Sequence, residues 1–149
     1  MSTPLVICVG NPYRRDDGVG LAIMDALPAA VRAVEATGEP TALLNLWAGE
    51  PRVVLVDAMS TGAAPGTVHV LACREGRWDT APPSASASTH GLGVAEAVGL
   101  GLALGDLPNE VLLVGVEVAD TSQGVGLSAP VAAAVPTAAA AAAATEGGR

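Results

Sequence analysis

The stretch LVICVGNPYRRDDGVGLAIMDAL, residues 5–27, decides the fold. Its first six residues form an unbroken apolar run ending at Gly10. A short run without alternation suits a central strand covered on both faces. From Asp16 to Leu27 the period changes. Val19, Ile23 and Leu27 recur every four residues, as on one face of a helix. Asp16 and Asp17 stand where carboxylates suit a helix start, and Pro28 ends the helix.

The same alternation continues downstream. Residues 30–38 predict a second strand, and 39–49 a short helix with Pro40 early and Gly49 after its end. RVVLVDAM (52–59) is the clearest strand, apolar from Val53 to Val56 and then carrying Asp57 near its C-terminal end. Residues 66–72 predict another strand, after the turn-like GAAPG. The polar, Pro/Ser-rich segment 74–89 reads as a loop, 90–105 as a glycine-containing helix and 110–120 as a strand. Residues 128–144 read as a helix kinked or broken near Pro136. Strands alternating with helices predict one α/β domain over 1–149, a three-layer α/β/α sandwich with a mainly parallel twisted sheet. Ligands of such sheets bind at the carboxyl ends of the strands. The loop carrying Asp16 and Asp17 should therefore share one sheet edge with Asp57.

Composition narrows the class. Half of the 149 residues are hydrophobic, enough for a core, and only 2% are aromatic, so aliphatic side chains must fill it. A formal net charge of -8 argues against nucleic acid or an anionic membrane as partner. No signal-peptide pattern and no membrane-spanning run is visible, and Cys8 and Cys73 form no CxxC pair, which predicts buried free thiols in a reducing cytoplasm.

Three chemistries compete for the loop at 10–20. A dinucleotide fingerprint or a P-loop is excluded, because neither glycine pattern is present and two carboxylates would repel phosphate. Helix capping would use one of the two acids and would leave Asp57 unexplained. A metal-contacting role joins Asp17 to Asp57 and to His90, which opens the helix after the polar loop. Oxygen and imidazole donors from distant segments are what a divalent transition ion takes, and three of them leave coordination positions open. His69, in the middle of a strand, reads instead as packed or solvated. No Ser-His-Asp or Cys-His set stands out.

Three segments, GNPYRRDDGVG (10–20), VVLVDAMSTGAAPGTV (53–68) and STHGLGVAEAV (88–98), resemble in order and spacing the signatures of the hydrogenase maturation endopeptidases. LLVGVEVADTSQGVGLSAPVAAAVP (112–136) is similar to that family's last strand, loop and helix, so the resemblance covers nearly the whole chain. It implies a cytoplasmic, monomeric peptidase, of aspartyl-type endopeptidase activity, with a mainly parallel sheet. It implies as substrate the nickel-loaded precursor of a nickel-iron hydrogenase large subunit, which loses a C-terminal extension after nickel insertion. The nickel is supplied by that precursor. The metal-contacting and catalytic positions carried over are Asp17, Asp57 and His90. Asp16 is expected to cap and shape the loop, Gly10 and Asn11 to turn the chain beneath the site, and Glu117 to stand at another strand end, as a cleft-lining or solvated acid. Cys8 stands where the family often has Gly, and Thr37 where many members carry Asp. A metal-dependent peptidase or amidase of the same fold acting on another substrate, and a nickel-binding chaperone that holds precursor without cutting it, remain alternatives.

Overall fold

The computed structural model describes residues 3–79 and 93–144. Among these residues four strands run parallel: β1 (Leu5–Val9), β2 (Arg32–Ala36), β3 (Arg52–Met59) and the strand at Glu110–Glu117. Numbered in chain order, the last of these is β6, after β4 (Val68–Arg74) and the two-residue β5 (Arg77–Trp78). The sheet order is β2-β1-β3-β6-β4-β5, with β4 antiparallel to both β6 and β5.

Among the described residues, four helices cover the sheet: α1 (Val19–Ala26), α2 (Pro40–Trp47), α3 (Gly93–Leu104) and α4 (Ala129–Ala143). Alternation along the strands sorts their side chains onto two faces. Val6, Cys8, Val54, Val56, Val114 and Val116 form one core with Val19 and Ile23 of α1 and Val131, Ala134, Ala138 and Ala142 of α4. Leu5, Ile7, Val9, Val53, Leu55, Val111 and Leu113 form the other, with Leu43 and Trp47 of α2 and Val94, Ala97 and Val98 of α3. These are the three layers expected, filled by aliphatic chains together with Trp47. Among the described residues no helix is long and apolar enough to cross a membrane.

Three expectations change. The segment 74–89, expected as a loop, carries the end of β4 and the two-residue β5; both lie at one edge of a sheet that is mainly parallel, as expected. The helix expected from Asp16 begins only at Val19, after a 3-10 turn at Arg15–Gly18. At Gly20, in the first turn of α1, a Cβ would run into the Val9 carbonyl, so only glycine lets the helix lie this close to β1. Finally, α4 runs unbroken through Pro136. Pro136 is exposed, while Ala134, Ala138, Ala139 and Ala142 bury the opposite face, and this packing outweighs the missing hydrogen bond.

Candidate active site at the switch point

The chain passes from β1 through α1 to β2 on one side, and from β2 through α2 to β3 on the other side of β1. The crevice between the C-terminal ends of β1 and β3 is therefore a topological switch point, where open α/β sheets bind ligands. The ladder between these strands ends at Cys8↔Val56. Asp57 is the first residue of β3 beyond it, two residues before the strand itself ends. It is 2% exposed, and its Oδ1 accepts the Ala58 backbone N–H at 2.8 Å.

The loop after β1 folds back over this crevice. Asn11 N donates to the Asp17 carbonyl (3.0 Å), Asp17 N to the Arg14 carbonyl (3.0 Å), and the Asn11 side chain accepts Tyr13 N (3.0 Å). Gly10 and Asn11 thus turn the chain as expected. Asp17 is 2% exposed, and the turn that carries it lies against β3, so the structure brings the Asp17 and Asp57 segments together.

The Arg-Arg-Asp stretch explains itself through a second loop, residues 118–128. Arg14 Nε donates to the Thr121 carbonyl (3.2 Å), and Arg15 N to the Gly124 carbonyl (3.0 Å). Arg15 holds a left-handed φ of 48°, a strain of about 1 kcal/mol offset by this lacing. Asp16 is wholly buried and accepts four hydrogen bonds, from Ala119 N (2.9 Å), Asp120 N (2.9 Å), Ser128 N (2.7 Å) and Ser128 Oγ (2.8 Å). Burial acts to raise its pKa, but these bonds prevail and hold the carboxyl below its ordinary range. The expectation that Asp16 caps the helix is corrected: the start of α1 has no side-chain cap, and Asp16 ties the two loops together instead.

Glu117, the last residue of β6, is 1% exposed. It accepts Thr61 N (2.7 Å), Thr61 Oγ1 (2.6 Å) and His69 Nε2 (3.0 Å). Burial raises its pKa, and the bonds from Thr61 and His69 outweigh this and lower it. It is therefore not a solvated acid. Sequence reading missed the pairing with His69, because it follows from the β4–β6 register; the only available signal was alternation, which puts His69 on the face of Leu71 and Cys73.

Asp16, Asp17, Asp57 and Glu117 are the buried acids among the described residues, and all four stand at this one end of the sheet. Buried carboxylates are costly unless hydrogen-bonded, paired or metal-bound, and their gathering at one sheet end makes this crevice the candidate site. His90, the third expected metal contact, lies outside the described residues, and among those described no three acids, histidines or cysteines group to hold a metal. Cys8 and Cys73 are buried and free. Burial, with Glu35 adding, pushes the Cys8 thiol up to about 12; burial also raises Cys73. Neither is a poised nucleophile.

Fold and site thus define an α/β protein with an acidic, buried switch-point centre. The family model described as hydrogenase maturation protease matches residues 21–145, and the chain belongs to that family. The hydrogenase expression/formation protein HupM of Azotobacter chroococcum mcd 1 is 30% identical over 125 residues, 78% of this chain; the chain's match spans 57% of that relative's length. Among solved structures, the hydrogenase maturating endopeptidase HybD from E. coli superposes with a TM-score of 0.77 at 26% identity, covering 96% of this chain and 91% of that one. The NiFe hydrogenase maturation protease HybD from Thermococcus kodakarensis gives a TM-score of 0.74 at 26% identity, over 95% of this chain and 97% of its own.

Proposed function

We propose that this chain is an endopeptidase that removes the C-terminal extension of a nickel-iron hydrogenase large-subunit precursor. It works as a cytoplasmic monomer and recognises nickel already held by the precursor, through Asp17, Asp57 and His90. The observation that carries this is Asp57: a buried carboxylate at the switch point of a hydrogenase maturation protease fold, with the Asp17 turn against its strand. Two carboxylates and an imidazole suit nickel, and a set that leaves positions open suits an ion still held by its own protein. Engagement of the metal positions the neighbouring peptide bond, and a water adds across it. The raised thiols of Cys8 and Cys73 argue against a covalent cysteine route.

Incubation with nickel-loaded precursor, followed by mass spectrometry, tests the proposal. The expected result is a large subunit shortened by one C-terminal peptide, with that peptide free in solution. An intact precursor held in a stable complex would identify a chaperone instead.

A further inference from the structure

The pair His69–Glu117 has no part in the proposed metal contact, yet His69 stands in the same row of the sheet as Asp57. Gly115 of β6 is the register partner both of Asp57 on β3 and of His69 on β4. The hydrophobic core on the α2/α3 side contains Val53 and Leu55 of β3, Val111 and Leu113 of β6, and Cys73 of β4. Alternation therefore places Asp57, Glu117 and His69 on that same face. Two strand spacings separate the backbones of Asp57 and His69, about 10 Å, or roughly three residues of extended peptide. Gly115 sends nothing up between them. Met59 lies over it, since a Cβ at 115 would meet the Met59 thioether, and gives the row an apolar floor.

His69 is built to present one nitrogen. The Glu117 carboxylate is an acceptor, satisfied by two donors from Thr61 and by His69 Nε2 at 3.0 Å. A hydrogen bond to a carboxylate places a proton on Nε2, and in the neutral ring this leaves the Nδ1 lone pair as an acceptor. The His69 side chain is 26% exposed, whereas that of Glu117 is 2% exposed, so the carboxylate lies behind and the imidazole reaches solvent. Thr61, two residues past the end of β3, donates to both oxygens of the carboxylate, which ties the His69 partner to the Asp57 strand.

We propose that His69, oriented by Glu117, is a substrate-contacting residue whose Nδ1 accepts a hydrogen bond from the main chain of the precursor, about three residues from the metal engaged at Asp57. This rests on the endopeptidase function proposed above. The contact selects and aligns the segment to be cut and takes no part in breaking the bond.

The test is steady-state trimming of nickel-loaded precursor by the wild-type chain and by His69→Ala and His69→Arg. His69→Arg keeps a donor for Glu117 and removes the acceptor, so its thermal midpoint should stay near wild type even if His69→Ala loosens the site. Both variants are expected to raise KM about tenfold, as loss of a hydrogen bond to a buried-site partner would, with kcat within about threefold. A wild-type KM in either variant overturns the inference, whatever kcat does. A wild-type chain that trims while the variants keep its KM defeats this inference alone. A wild-type chain that does not trim defeats the endopeptidase proposal, and this one with it.

Discussion

Asp57→Asn should abolish trimming of nickel-loaded precursor and leave the fold standing. Asn has the shape of Asp, and its amide oxygen can still accept the Ala58 N–H that Oδ1 accepts now. What it lacks is charge and the strength of an anionic donor toward a divalent ion. Asp57 is 2% exposed, at the first β3 position past the β1 ladder, so water offers little substitute. Loss of an essential contact of this kind should lower kcat/KM by at least about 10³-fold, some 4 kcal/mol of transition-state stabilisation. His90→Ala is expected to fail likewise. Thermal midpoints measured beside the kinetics separate chemistry from folding. Asp57→Asn trimming within tenfold of wild type would remove the residue from the site.

Asp16→Ala should produce the largest loss of stability. Its carboxylate satisfies three backbone N–H groups and one hydroxyl, all from residues 119–128, and is itself fully buried. Truncation strands these donors beneath a covered loop, and each stranded donor costs on the order of 1–3 kcal/mol before relaxation. Allowing for water entry, the total should be about 3–5 kcal/mol, a fall of roughly 10 °C in the thermal midpoint. Calorimetry of the variant checks this. A fall of under about 2 °C would mean that the two loops hold together without Asp16. Trimming should weaken as well, since the turn with Asp17 depends on that lacing.

Much of this molecule was legible before its coordinates. The unbroken apolar runs at 5–9 and 53–56 announced central strands, and Pro40 and Gly49 bracketed α2, because burial on both faces and helix-end geometry act through local residue choice. The convergence of the Asp17 loop with Asp57 followed from topology alone. Long-range partnership was not legible. Nothing near Asp16 in sequence says that its carboxylate will serve residues 119, 120 and 128, and the apparent cap was a tie between loops. Nothing near His69 names Glu117, 48 residues away, because strand direction and register are collective properties of the sheet. Pro136 does not break α4 for a related reason: tertiary packing of the alanine face holds the helix continuous across it.

The central claim, that this site engages nickel seated in the substrate, is tested most directly by giving the wild-type chain the same precursor in two states, nickel-loaded and nickel-free, and weighing the product of each by mass spectrometry. The account predicts a shortened large subunit from the loaded precursor and an unchanged mass from the nickel-free one. Equal trimming of both would contradict it.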